Sequence, residues 1–155
     1  MFNRKTAPVF LLAVSSCLLL SSCASSRFEK AWTASLSETV SDSSPTGPWT
    51  GKWTTKTNGH AGGLRCLVTK VDKHPEQLQF WYHATWGKGF SAPFKVKYKF
   101  VRTTNNHFKI KGSRDLGIFG SFKHEADITP SSFTADYSNK KGSLGSFELV
   151  RPSSP

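Results

Sequence analysis

The stretch Phe94-Lys95-Val96-Lys97-Tyr98-Lys99-Phe100 alternates strictly between apolar and charged side chains. A period of two is the pattern of a β-strand, because successive side chains of a strand point to opposite faces. The lysines predict a face in water, and the aromatic and branched residues predict a face in a core. The stretch therefore predicts a β-sheet with one buried face.

The same alternation continues on both sides of this strand. Gly, Pro, Asn and Ser separate short alternating segments, which we predict at 49–57, 64–72, 77–86, 93–102, 107–113, 118–128, 132–138 and 144–151. Short turns between consecutive strands favour an antiparallel, up-and-down order. We therefore predict an all-β fold, an eight-stranded antiparallel meander closed into a small barrel, with the barrel domain over residues 48–152.

Alternation also assigns the interior of the barrel. The residues predicted to face inward are Trp49, Trp53, Phe80, Tyr82, Trp86, Phe94, Val96, Tyr98, Phe100, Phe108, Ile110, Phe122, Phe133, Tyr137, Phe147 and Leu149. A barrel of this size is filled by its own side chains or holds one small ligand. The candidate ligand-binding residues are Trp53, Phe80, Tyr82, Trp86, Tyr98 and Phe108, and two glycines after Trp86 predict a mouth near residues 86–92.

The first residues have the pattern of a secretory leader. Arg4 and Lys5 precede an apolar run that is too short to span a bilayer. At its end, Leu20-Ser21-Ser22-Cys23 resembles the bacterial lipobox, which implies cleavage before Cys23 and a lipid on its thiol. We therefore expect residues 1–22 to be a lipoprotein signal peptide and Cys23 to be the lipidation site.

The resemblance also bears on localisation and on the next segment. Ala24 follows the cysteine, which by resemblance to enterobacterial sorting implies an exported protein anchored to the outer membrane. Residues 23–47 end in a stretch rich in Ser, Pro and Gly, so we predict a lipidated tether. Within it, apolar residues recur every fourth position and predict a short helix over 28–40: Phe28, Trp32, Leu36 and Val40.

Gly51-Lys52-Trp53 in the first strand resembles the G-x-W signature of the calycins, the group of lipocalins, fatty-acid-binding proteins and avidins. The resemblance implies that a basic residue of the last strand packs over the tryptophan at the closed end of the barrel. Arg151 is the candidate, since a guanidinium stacks on an indole while donating hydrogen bonds to strand ends. We therefore expect Trp53 and Arg151 to close the barrel. Biotin binding is not implied, because avidin's polar contacts have no match here residue by residue.

The chain is strongly basic, with a formal net charge of +11. On neighbouring outward faces the sequence predicts one basic patch, formed by Lys95, Lys97, Lys99, Lys109 and Lys111. Such a patch would attract an anionic envelope surface. Nucleic acid is not an expected partner, because the protein is predicted to be exported and no nucleic-acid-binding motif occurs.

Motifs for catalysis and metal binding are missing from the sequence. Cys66 lies in an apolar segment, which predicts a buried thiol. Cys66, His60 and His124 lack the local spacing of metal ligands or of a nucleophile pair, and no hydrolase, P-loop or Rossmann signature is present. We therefore expect no enzymatic activity, no metal and no cofactor.

Two functions remain open. The first is a membrane-anchored envelope lipoprotein whose calycin-like barrel binds a small apolar ligand or lipid. The second is a solid-core structural or interaction module whose basic surface binds anionic lipid, cell-envelope polysaccharide or a partner protein. The volume of the cavity at the open end of the barrel distinguishes the two functions. A binding barrel needs a cavity of at least about 300 Å³ to enclose a drug-sized molecule, whereas a solid module needs none.

Overall fold

The computed structural model describes residues 24–41, 43–87, 89–104, 106–115 and 120–153 of the chain. These residues form a closed barrel of eight antiparallel strands in sequence order, with β1 pairing with β8. The strands are β1 (Gly47–Thr55), β2 (Ala61–Val71), β3 (His74–Trp86), β4 (Phe90–Thr104), β5 (His107–Asp115), β6 (Ser121–Ile128), β7 (Ser132–Asn139) and β8 (Leu144–Val150). The predicted fold class is confirmed.

The two ends of the barrel differ. We call the lower end the one where β1 begins and β8 ends, and the upper end the opposite one. The hairpin between β3 and β4 belongs to the upper end, where Trp86 pairs with Phe90. The last pair between β2 and β3 joins Leu64 and Ala84, although β2 begins at Ala61, so the pairing of these two strands stops two residues before Trp86.

The lower half of the barrel is filled by its own side chains. The predicted inward residues Trp49, Phe80, Phe108 and Phe133 are buried there. The ring centre of Phe133 lies 5.7 Å from that of Trp49 and 5.9 Å from that of Phe80, both edge to face. Aromatic rings in this geometry attract one another beyond the area they bury, and this half of the barrel is a solid core.

Glycines make room for the largest rings in the upper half. A Cβ atom at Gly112 would lie 2.3 Å from Cδ1 of Tyr98, which is closer than side chains approach. In total, an aromatic ring lies directly over a glycine of the adjacent strand at three places. These pairs are Trp53 over Gly62, Tyr98 over Gly112 and Tyr137 over Gly145. Glycine kinks with an aromatic ring above them let a strand bend into a closed barrel.

A helix over residues 24–36 packs against the outer face of β2 and β3. Phe28 is fully buried, with its ring centre 5.3 Å from that of Trp81 and 4.9 Å from that of His83. Arg65 lies 5.2 Å from the Phe28 ring centre and forms a salt bridge with Glu29. The segment is therefore part of the folded domain, where the sequence predicted a tether.

The helix also ends earlier than predicted. It was expected over 28–40, but it stops at residue 36 and leaves Val40 outside. The Ser35 and Ser37 hydroxyls donate to the carbonyl oxygens of Trp32 at 2.7 Å and Ala34 at 2.8 Å, and such local bonds compete with helix continuation. Within the described ranges, no helix has the length and apolar character needed to cross a bilayer.

Candidate functional site

The lower end of the barrel is closed by Arg151, which lies over Trp49. Its guanidinium carbon is 3.7 Å from the centre of the Trp49 ring, which is a cation–π distance. The guanidinium also donates hydrogen bonds to backbone carbonyl oxygens below the barrel, with Ser44 at 3.1 Å, Thr46 at 2.9 Å and Pro48 at 3.3 Å. Arg151 thereby holds that backbone segment against the end of the barrel.

The expected pairing of Trp53 with Arg151 is wrong, and the direction of the strands explains why. β1 and β8 are antiparallel, so the end of β8 meets the start of β1, and Thr50 pairs with Val150. Trp53 lies three residues beyond Thr50 on β1, about 10 Å from it along the strand toward the upper end of the barrel. The tryptophan at the closed end belongs to a second Gly-x-Trp sequence, Gly47-Pro48-Trp49.

The upper half of the barrel contains a cavity of about 150 Å³. Side chains from five strands, β3, β4, β6, β7 and β8, supply most of its wall, and one side chain of β5 completes it. The lining residues are Tyr82, Phe94, Val96, Tyr98, Arg114, Phe122, His124, Tyr137 and Phe147. All of these residues are at strand positions whose side chains point inward, so the cavity lies inside the upper half of the barrel.

The wall of this cavity consists mainly of aromatic rings in mutual contact. The ring centre of Tyr82 lies 5.0 Å from that of Phe94 and 5.5 Å from that of Phe147. His124 lies 5.2 Å from Tyr98 and 5.6 Å from Phe147, again between ring centres. The side chains around the cavity are therefore mostly aromatic and pack on one another.

Two polar side chains in this wall are deeply buried. Among the described residues, neither ring nitrogen of His124 has a hydrogen-bond partner, and the Tyr82 hydroxyl lies beside the buried Cys66 thiol. His124 is only 5% exposed, and burial lowers its pKa to about 4. Burial, followed by the nearby Cys66 and Tyr98, raises the pKa of the Tyr82 phenol. Both groups are therefore neutral at pH 7.

The six predicted ligand-binding residues do not come together at one site. Tyr82 and Tyr98 line the cavity, whereas Phe80 and Phe108 are buried in the solid core below it. The remaining two residues are tryptophans. The Trp53 indole donates to the Thr85 carbonyl at 3.0 Å and lies outside the wall.

Trp86 is 41% exposed at the tip of the β3–β4 hairpin, although its position in the alternation predicts an inward side chain. Trp86 lies two residues beyond Ala84, the last residue of β3 that pairs with β2.

Arg114 was missed as a wall residue, because the predicted fifth strand ended at residue 113. Alternation from Phe122 predicts an inward His124, but His124 was not among the candidate ligand-binding residues. The spacing of four residues between Ile110 and Arg114 was the signal that could have placed Arg114 inward.

The five lysines of the predicted basic patch stand on outward positions of β4 and β5, but their surroundings are not uniformly basic. The Lys95 ammonium lies 3.7 Å from the centre of the Trp81 ring. Lys109 and Lys111 form salt bridges to acidic residues of β6, at 3.9 Å to Asp127 and 2.7 Å to Glu125. Lys97 and Lys99 remain exposed, so the basic surface is narrower than the predicted patch.

The residues considered for metal binding or nucleophilic chemistry differ in exposure. His60 is exposed, whereas Cys66 and His124 are buried. Burial raises the pKa of the Cys66 thiol well above its usual range, which opposes a thiolate nucleophile. In the part of the chain that the structure describes, no group of three or more His, Cys, Asp or Glu side chains could hold a metal ion.

No protein-family model matches this chain, and no curated protein matches it. Solved structures of designed barrels are similar to it. A redesigned beta barrel has a TM-score of 0.49 and 20% identity, over 70% of this chain and 91% of that one. EF1p2_mFAP2b bound to DFHBI has a TM-score of 0.48 and 18% identity, over 69% and 93%. A de novo designed fluorescence-activating beta barrel has a TM-score of 0.42 and 16% identity, over 73% and 100%.

Proposed function

We propose that this protein is an envelope lipoprotein whose barrel binds a small single-ring molecule in the upper cavity. The observation that carries the proposal is the division of the interior into a solid lower half and an upper half with a ring-lined cavity of about 150 Å³. Interiors of proteins are normally close-packed, and voids larger than a water molecule are few. A cavity of this volume lined by apolar side chains is large enough to bind benzene.

The volume of the cavity narrows the class of ligand. Sites for drug-sized molecules begin at about 300 Å³, and the upper cavity has half that volume. This argues against a lipid enclosed in the barrel, which the sequence had left open, and favours one aromatic ring. A ligand of that size would contact the rings of Tyr82, Tyr98 and Phe147 at once.

A pair of valine substitutions on one strand tests the cavity as a binding site. Val96 is buried in the cavity wall, whereas Val101 on the same strand is exposed. We expect toluene to shift the NMR signals of the His124 ring in the parent chain and in Val101→Phe, and to have no effect in Val96→Phe, because the added ring fills the cavity. Toluene binding that survives Val96→Phe, or is missing in the parent, would contradict the proposal.

The second part of the proposal is the lipid anchor on Cys23, which lies outside the described residues. The helix over 24–36 begins directly after it in the sequence. Phe28 contacts Trp81 and His83, and later helix residues line a cleft with the lower part of β2. The helix thus runs from the upper part of the barrel downward. Its first residues lie toward the end that carries the exposed rings of Trp86 and Phe90, which suits a mouth that faces the membrane.

Two serine substitutions test the anchor. In a bacterial host that processes lipoproteins, we expect the parent to lose residues 1–22 and to gain acyl chains on Cys23, as read by mass spectrometry of the membrane fraction. Cys23→Ser should remain unprocessed or be released without lipid. Cys17→Ser is the matched control and should behave as the parent. An unmodified Cys23 thiol in the native host would exclude the anchor.

A solid interaction module is the second candidate function, and the packing of the lower half favours it. Phe80, Phe108 and Phe133 are buried there, and the exposed Lys97 and Lys99 offer positive charge to an anionic envelope surface. Failure of every small aromatic molecule to enter the upper cavity would leave this function standing.

A further inference from the structure

Two large aromatic side chains are exposed at the upper end of the barrel. Trp86 and Phe90 are 41% and 65% exposed, and they pair with each other across the β3–β4 hairpin. Residues that face each other in an antiparallel pair have their side chains on the same side of the hairpin, so the two rings form one apolar surface. Leu144, also exposed, begins β8 at the same end. An exposed apolar surface with a polar rim marks a contact with a membrane or a protein.

The positions of these side chains favour a flat partner. The β3–β4 and β7–β8 hairpins lie on opposite sides of the ring of eight strands. A partner that contacts Trp86, Phe90 and Leu144 together therefore spans the whole upper end. The surface of a bilayer does so without any matched shape, and Trp, Phe and Leu are typical of the apolar faces that lie in its interface with water.

The charge of the upper end suits an anionic bilayer. The upper hairpins and the strand ends beside them cover residues 55–61, 86–90, 114–123 and 138–144. Their exposed charged side chains, among the described residues, are five basic and one acidic: Lys56, Arg114, Lys123, Lys140, Lys141 and Asp115. Lys56 also forms a salt bridge at 3.7 Å with Asp136, further down β7. The described residues of the lower hairpins, over 71–74, 104–107 and 128–132, carry one charge of each sign, Asp72 and Lys73. Anionic headgroups attract the basic end.

The first residues of the helix lie toward the same end. Phe28 contacts His83, which precedes Trp86 by three residues on β3. Helix residues after Phe28 line a cleft with the lower part of β2. Because a helix rises 1.5 Å per residue, Ala24 lies about 6 Å from Phe28 in the direction of the upper end. A chain held at residue 23 therefore presents its upper end to the membrane.

We propose that the upper end of the barrel is a membrane-contacting surface, which places the rings of Trp86 and Phe90 in the interface of an anionic bilayer while the basic side chains around them face the headgroups. The inference goes beyond the proposed function, because it assigns a contact with the membrane to the barrel itself. It also orients the barrel, with the end closed by Arg151 away from the bilayer.

Quenching of tryptophan fluorescence by brominated lipid tests where Trp86 lies. The full chain carries Cys23→Ser, so that no acyl chain at this position contributes, and is added to vesicles of phosphatidylcholine and phosphatidylglycerol with or without bromine on the acyl chains. Subtracting the signal of Trp86→Phe isolates Trp86 from the other tryptophans. We expect bromine to remove most of this Trp86 signal, because bromine quenches an indole on contact.

A tryptophan moved to the other half of the barrel is the matched control. Val101 is 65% exposed and lies on the same strand as Phe90, about 36 Å further along it at the rise of a β-strand. Val101→Trp combined with Trp86→Phe keeps the number of tryptophans. Bromine should remove none of the signal that Val101→Trp adds.

Sedimentation with the same vesicles measures the contribution of the rings and of the charge. Trp86→Ser with Phe90→Ser should weaken binding at least about tenfold, the value of burying one such ring. Val101→Ser with Val150→Ser removes two exposed side chains of the lower half and should leave binding unchanged. All of these variants share the same first 23 residues. Binding should also weaken without phosphatidylglycerol, and with added salt, which screens exposed charges.

The outcomes separate this surface from the cavity and from the anchor, since the experiment uses neither a cavity ligand nor a lipid at residue 23. A Trp86 signal that bromine leaves unchanged, or an equal loss at position 101, would overturn the proposal. So would binding that survives the loss of both rings. Equal binding with and without phosphatidylglycerol would overturn the anionic partner. A dimer in size-exclusion chromatography that Phe90→Ser dissociates would mean that a second copy of the chain, and not a bilayer, covers the rings.

Discussion

Replacing Trp49 with alanine is expected to lower the free energy of unfolding by about 3–5 kcal/mol, the range of large-to-small changes in a core. Trp49 is fully buried at the lower end, packs edge to face on Phe133, and donates from its indole to the Pro45 carbonyl at 3.0 Å. Its removal also takes away the ring on which Arg151 stacks. Urea unfolding of the full chain, followed by the fluorescence of the remaining tryptophans, measures the loss.

Trp86→Ala is the control for this prediction, because Trp86 is an exposed tryptophan of the same barrel. It should change the free energy of unfolding by no more than about 0.5 kcal/mol, as surface substitutions do. A double-mutant cycle with Arg151→Ala should give a coupling energy of about 1 kcal/mol for the stacked pair. Equal losses for Trp49→Ala and Trp86→Ala would mean that Trp49 does not close the barrel.

Replacing Gly62 with alanine is expected to cost about 3 kcal/mol, at the upper end of the range for overpacking. A Cβ atom at Gly62 would lie 1.8 Å from the carbonyl oxygen of Thr85 and 2.6 Å from Nε1 of Trp53. The first of these atoms belongs to the backbone of β3 and cannot rotate away. The substitution would therefore push β2 and β3 apart and break the hydrogen bond from Trp53 to Thr85.

The adjacent glycine supplies the matched control. A Cβ atom at Gly63 would approach only the Thr85 hydroxyl, at 2.8 Å, and a hydroxyl can rotate to another staggered position. Gly63→Ala should stay within about 1 kcal/mol of the parent, since the lower entropy of the unfolded chain offsets a small strain. Unfolding midpoints in urea with an unchanged slope compare the two variants. Similar midpoints for both would refute the close approach at Gly62.

The sequence alone determined the strands and most of the interior. Alternation depends only on neighbours along one chain, so Phe94, Val96 and Tyr98 could be assigned inward without knowing any partner. The short turns then left an antiparallel meander as the favoured order. The apolar segment around Cys66 predicts its buried thiol, and alternation from Phe122 predicts an inward His124; both residues are buried in the structure.

Tertiary structure alone decided which inward residues lie at the same height in the barrel. The two Gly-x-Trp sequences of β1 are equivalent in local pattern, and only the register of β1 against β8 shows that Arg151 meets Trp49 and not Trp53. For the same reason Phe80 belongs to the solid core while Tyr82, two residues further along, lines the cavity.

The outer surface was the least predictable part. The segment predicted as a tether contains a helix that buries Phe28 against Trp81 and His83, on a face that alternation assigns to water. The alternation along a strand shows which side of the sheet a residue faces. It does not show whether another element, such as the helix over residues 24–36, covers that side. Contacts between residues distant in sequence, such as Arg65 with Glu29, depend on where the closed barrel brings its surface, and only the folded chain decides that.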